Sequence, residues 1–172
     1  MVTVSTASDL EGLEAKLLDA AKRSSDAVQT IIEAQTPLGL LHAFKFDPVG
    51  HHPMTGSKLN LIEQVNQTFT HLVTYRAVRS LLDRHPEVDE WHLNLGTTAG
   101  TDIASVDKSV AAEVFAAVTP ANNNKLLKDV RRVDATAASH KYVFFHSPGY
   151  SGKQDAKKGH EDVIIIAVDV VL

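Results

Sequence analysis

The chain has 172 residues, with 17 Lys and Arg against 21 Asp and Glu and no cysteine. That length suits one domain with a sizeable core, and the missing thiols exclude disulfides, zinc–thiolate clusters and cysteine nucleophiles. A net charge of −4 gives no whole-molecule attraction to nucleic acid, so any such binding must use a local basic patch.

The opening stretch, MVTVSTASDLEGLEAK, has neither a basic segment nor an apolar one behind it, so no signal peptide is expected. Residues 8–34 predict a helix, with Leu10, Leu13, Leu17, Ala21, Val28 and Ile31 as an interrupted apolar stripe. Ser8 is its expected N-cap, with Glu11 three residues on. Residues 38–46, LGLLHAFKF, alternate like an extended segment, and DPVGHHPMTGSK then reads as an irregular loop. A second long helix is expected from Asn60 to Arg84, before Pro86. Its expected buried face is Ile62, Val65, Phe69, Leu72, Val73 and Leu81, opposite Glu63, Asn66, Gln67, Thr70 and Thr74.

Three strands are predicted next, over 90–96, 101–106 and 109–118. A helix over 121–134 follows, with Leu126, Leu127, Val130 and Val133 inward, and strands over 141–146 and 162–171 close the chain. The longest apolar run, Val163–Val168, is too short to span a bilayer, so no membrane partner is expected. A cytoplasmic location is the expectation.

The segment TDIASVDKSVAAEVFAAV carries the chemistry. With Asp107 and Lys108 at the centre of a tight turn, Ala104 faces Ala111 and Asp102 faces Glu113. Opposed side chains share one face, with Cβ atoms roughly 4.5–5.5 Å apart, and two carboxylates there repel unless a proton or cation intervenes. The strand around Glu113 is apolar on both faces, which predicts cover on both sides and a high cost for an unpaired charge. A hard divalent ion, Mg²⁺ or Mn²⁺, resolves both problems. The competing readings are a neighbouring Lys or Arg paired with Glu113, or a one-residue slip that separates the acids.

Over residues 58–146 the sequence resembles the PD-(D/E)XK nuclease superfamily. The resemblance lies in the αβββαβ order, an Asp at the start of the second strand, and a Glu eleven residues later in the third. It implies an α/β fold with a restriction-endonuclease-like core, a central mixed sheet flanked by helices, and an added N-terminal helix. One domain over 1–172 is expected, divided as helix 1–36 and nuclease-like core 37–172. The resemblance also implies a DNA endonuclease in which Asp102, Glu113, Glu63 and the backbone carbonyl of Val114 hold Mg²⁺ or Mn²⁺. A homodimer is common in this fold.

The family's lysine, two residues after the Glu, is replaced by Phe115. Members of the superfamily also place this base on the following helix, where PANNNKLLKDVRR offers Lys125 and Lys128 on one side. The competing reading is a nuclease-like binding or assembly module that no longer cuts. Asn124, Arg131 and Arg132, with the two lysines, make the best candidate surface for nucleic acid, and Asn122 is the expected helix cap. Asp47, His51 and His52 share one loop and offer a zinc reading for small phosphate esters. No phosphate-binding G-x-x-x-x-G-K-[ST] motif or G-x-S-x-G elbow is present.

Overall fold

The computed structural model describes residues 1–96 and 98–170. In chain order these form β1 (Val2–Val4), α1 (Ala7–Ile32), α2 (Pro37–Phe46), β2 (Gly50–His51), β3 (Lys58–Leu59) and α3 (Leu61–Arg84). Then come β4 (Trp91–Leu93), β5 (Ile103–Ser105), β6 (Val110–Ala116), a 3-10 turn at Asn122–Asn124, and α4 (Lys125–Asp134). The chain ends with β7 (His140–His146), β8 (Gly152–Gln154) and β9 (Val163–Ala167). Val171, the last residue of the expected final strand, lies outside the described residues. Among the described residues no helix is long and apolar enough to cross a membrane.

The chain parts into two compact units, Met1–Asp9 with Thr70–Leu172, and Leu10–Phe69. The division falls inside α3.

The first unit is α/β, built on a mixed seven-stranded sheet in the order β1-β4-β5-β6-β7-β9-β8. Neighbours from β1 to β6 run antiparallel, while β6, β7 and β9 are parallel. The order helix, three strands, helix, strand is the one expected from the sequence. β6 is apolar on both faces, and all but its last residue are buried. On one face α4 brings Leu126, Val130 and Val133 onto Ala111, Phe115, Val143 and Phe145. Fully burying a valine or leucine contributes about 1.5–3 kcal/mol, so this single layer of side chains is enough to hold α4 in place. On the opposite face Tyr142 stacks on Phe144, and its hydroxyl meets Nε2 of His85, just past α3, at 2.9 Å.

Three local expectations are corrected. First, α1 is capped not by Ser8 but by Thr6, whose hydroxyl accepts the Asp9 N–H (3.3 Å) while the Asp9 carboxylate takes the Thr6 N–H (2.8 Å). This is a capping box two residues earlier, with Asp in the role of Glu.

Second, residues 38–46 are not extended but form most of α2. Thr36 Oγ accepts the Gly39 N–H at 3.1 Å, and Pro37 occupies the first turn with its φ already helical. Those start signals outweigh the apparent alternation, and only Ala43 of α2 is buried.

Third, Leu72, Val73 and Leu81 of α3 are buried as expected, but Ile62, Val65 and Phe69 are exposed. The early turns of α3 instead bury Gln64, whose amide N–H reaches the Ala20 carbonyl at 3.1 Å and whose Oε1 takes the His51 N–H at 2.8 Å. Buried polar groups must be partnered, and this anchor sets the face that turns inward. In the same unit the expected loop over 47–58 is mostly irregular, pinned by the two-residue pairing of β2 with β3.

Candidate functional site

The β5–β6 pairing matches Ala104 with Ala111 and Ile103 with Ala112, the expected register. Continued by one residue, it sets Asp102 opposite Glu113. The turn itself is wider than the expected Asp107–Lys108 pair: Lys108 N–H bonds the Ser105 carbonyl at 3.0 Å, and Lys108 has φ 62°. Asp107 braces it by accepting the Ser105 hydroxyl (2.6 Å) and the Ser109 N–H (2.9 Å). These bonds hold its carboxyl down at about 2.

Asp102 is anchored through Oδ2, which accepts the Val114 N–H at 2.8 Å. Val114 thus enters the site by its amide, locking one carboxylate beside the next. Glu113 is fully buried, and neither of its oxygens accepts a directed hydrogen bond. Arg132 Nη1 stands 3.0 Å from Oε2, close enough for charge attraction but off the hydrogen-bonding direction. Burial first, and then the adjoining Asp102 carboxyl, push Glu113 up to about 9 against the pull of Arg132. At neutral pH Glu113 therefore keeps a proton, and that proton separates the two acids.

A third acid, Asp129, completes the cluster and was not singled out from the sequence. It is fully buried, receiving Lys125 Nζ at 2.8 Å and Arg132 Nη2 at 2.9 Å. Burial raises its carboxyl, while Lys125 and Arg132 oppose the rise. The signal was present: Leu126, Asp129, Val130 and Val133 stand at i, i+3, i+4 and i+7, so Asp129 lies on the inward stripe.

The expected basic stripe is divided. Lys125 and Arg132 belong to the acidic cluster, and Lys125 Nζ also lies 5.6 Å above the Phe115 ring. Lys128 and Arg131 are exposed and stand outside the cluster. Asn122 does not cap α4. Asn124 holds the cap position, with φ 55° and no side-chain capping bond. Two successive left-handed residues, Asn123 and Asn124, precede α4, a conformation that asparagine tolerates better than most residues.

Glu63 lies in the first turn of α3, exposed, within the Leu10–Phe69 unit. In that unit both histidines of the zinc reading are engaged within the protein. His51 Nε2 is 3.0 Å from Lys58 Nζ and its Nδ1 is 3.1 Å from Ser24 Oγ. Because the Ser24 hydroxyl donates to the Ala20 carbonyl at 3.0 Å, His51 must carry its proton on Nδ1. Burial and then Lys58 push its imidazole down, so it stays neutral. His52 Nδ1 accepts the Met54 N–H at 3.0 Å. An ammonium on one ring and a backbone amide on the other occupy lone pairs that zinc would need. Among the described residues no three His, Asp or Glu side chains converge as a ligand set.

Compared with known proteins, the chain matches no family model, no curated sequence and no solved structure.

Proposed function

We propose that the chain is a metal-dependent phosphodiesterase of the PD-(D/E)XK type acting on DNA, with Asp102 and Glu113 holding Mg²⁺ or Mn²⁺. The observation that carries this reading is the Asp102–Glu113 pair itself. Two acids share one sheet face, and the buried one has no directed donor on either oxygen. The donors are hard oxygens, which suit Mg²⁺ or Mn²⁺, and the Val114 carbonyl is the further ligand that the family would add. An antiparallel β4–β5–β6 meander followed by α4 and a parallel β7 supports the same reading. A divalent cation held there supplies an activated water and neutralises charge building on a phosphate.

The chain's own residues have distinct tasks. Asp102, fixed by the Val114 amide, and Glu113 would hold the cation between them, and a bound cation would displace the proton that burial keeps on Glu113. Lys125 stands above Phe115 and supplies the ammonium that the motif position lacks. It orients the attacking water or stabilises the phosphorane. Arg132 restrains the acids Glu113 and Asp129, and Asn124, Arg131 and Lys128 are left to meet the nucleic acid. Work as a homodimer in the cytoplasm belongs to the same proposal.

The test is cleavage of plasmid DNA with Mg²⁺ or Mn²⁺, expected for the wild type and abolished in Asp102→Ala. Cleavage that survives in both Asp102→Ala and Glu113→Ala overturns the mechanism. A second reading, a nuclease-like module that no longer cuts, is favoured by the Arg132–Glu113 contact and by Phe115. Calorimetry decides between them: Mn²⁺ binding with proton release at neutral pH supports the enzyme, and no binding supports the module.

A further inference from the structure

A cavity of about 410 Å³ opens beside the start of α4, between Asn124, Leu126 and Leu127 on one side and Phe145, Tyr150 and Gln154 on the other. Pockets of this size take small organic ligands. Its position relative to the acids is set by a row of rings. Lys125 Nζ sits over Phe115, Phe115 stacks on Phe145 at 5.3 Å, and Phe145 meets Tyr150 edge-on at 5.7 Å. The cavity therefore begins one ring beyond the lysine assigned to the phosphate.

Its chemistry is that of a flat, polar-edged ring. Tyr150 is half-exposed and offers an aromatic face, while Leu126 and Leu127 add apolar walls. Gln154 directs its amide N–H groups to the carbonyls of Ser151 (2.9 Å) and Gly152 (3.1 Å), which leaves Oε1 as an acceptor. Asn124 carries its amide on a left-handed backbone at the cavity wall. The same amide that is not used for capping keeps both donor and acceptor for a ligand. An Asn amide matches the adjacent donor and acceptor on the edge of adenine, and stacking on an aromatic ring is open to any base.

We propose that this cavity is a nucleobase subsite, taking the base of a nucleotide that flanks the phosphate held at Asp102 and Glu113. The assignment of the ring as a nucleobase rests on the phosphodiesterase reading. Binding itself does not, because the cavity uses none of the metal-holding carboxylates.

The experiment is a titration of the full chain with AMP, with other nucleoside monophosphates, and with ribose 5-phosphate and inorganic phosphate as controls, all in chelator. Chemical shifts of the Tyr150 and Asn124 signals give the readout. Base-bearing ligands should bind, ribose 5-phosphate and phosphate should not, and Tyr150→Ala should weaken binding about tenfold, the scale of one lost stacking contact. Leu127→Trp, which fills the cavity from a half-buried position on its wall, should abolish it. Equal binding of phosphate alone overturns the proposal in favour of an anion site, and no binding of any base overturns it outright. Asp102→Ala is expected to leave binding unchanged, so failure of the metal reading and failure of the base subsite give different results.

Discussion

Replacing Glu113 with Gln tests the electrostatics of the site without disturbing its packing. Glutamine keeps the shape of a protonated glutamic acid and cannot ionise. In the folded protein Glu113 titrates at about 9 against an ordinary 4.5, because it is buried beside Asp102. The folded state therefore holds a proton that the unfolded chain has lost, throughout the interval between those values. Its contribution to stability is complete below the unfolded pKa and drains away as pH rises through the folded one. The limiting slope is about 1.4 kcal/mol per pH unit, or about 4 kcal/mol between pH 5 and 8. Coupling to Asp102 and relaxation around Arg132 reduce that ceiling, so about 1–2 kcal/mol is the working expectation.

Urea unfolding at pH 5, 6.5 and 8 measures it. Trp91, the single tryptophan, is fully buried in the same compact unit as Glu113 and gives the fluorescence signal. Wild type should lose stability across the series more steeply than Glu113→Gln, and at pH 8 the variant should be the more stable. Mn²⁺ at ten times its dissociation constant should restore about 1.4 kcal/mol to wild type alone. Equal pH slopes in the two proteins would refute the buried, protonated Glu113.

Two further outcomes follow from the same geometry. Lys125→Ala is expected to cut DNA cleavage at least about a hundredfold, and Lys128→Ala by less than about threefold, since only Lys125 reaches the cluster. Comparable losses in single-turnover assays would remove Lys125 from its assigned role. Gly50→Ala should destabilise the Leu10–Phe69 unit by about 1–3 kcal/mol, because an added Cβ would stand 2.7 Å from Gln64 Oε1 and 2.9 Å from the Asn60 carbonyl. Thermal unfolding reads this directly, and an unchanged midpoint would mean that the Gln64 anchor is softer than drawn.

How much was legible in the sequence depends on which physical rule was in control. The β5–β6 register was, because alternation has a period of two and a single turn fixes every opposed pair. It survives the wider turn because the loop over 106–109 takes one residue from each strand and leaves every opposed pair unchanged. α2 was missed because its apolar residues mimic alternation, while the decisive signals, Thr36 and Pro37, lie just outside the segment. The early face of α3 was misread because hydrophobic periodicity cannot foresee a buried glutamine that satisfies two backbone groups. Asp129 was overlooked for the opposite reason. Its spacing puts it on the inward stripe, but spacing alone does not show that Lys125 and Arg132 fold over to meet it there. The ion-pair reading of Glu113 is half visible in the sequence: a neighbouring Lys or Arg is expected, but not that Arg132 approaches without a directed hydrogen bond.

The place of β1 bears on how the molecule assembles. Val2–Val4 pair with Trp91–Leu93, so the sheet's first edge is made from residues that leave for the whole Leu10–Phe69 unit before the chain returns. Contacts this distant in sequence form late, because a long loop must be closed before they yield any reward. Until β1 arrives, β4 presents an open row of backbone donors and acceptors, which is a template for another chain. Once paired, β1 covers that row and passes the sheet's outer edge to a strand of only three residues. At the far edge β8 is three residues long and bears Lys153, so that side is guarded from the outset by brevity and charge.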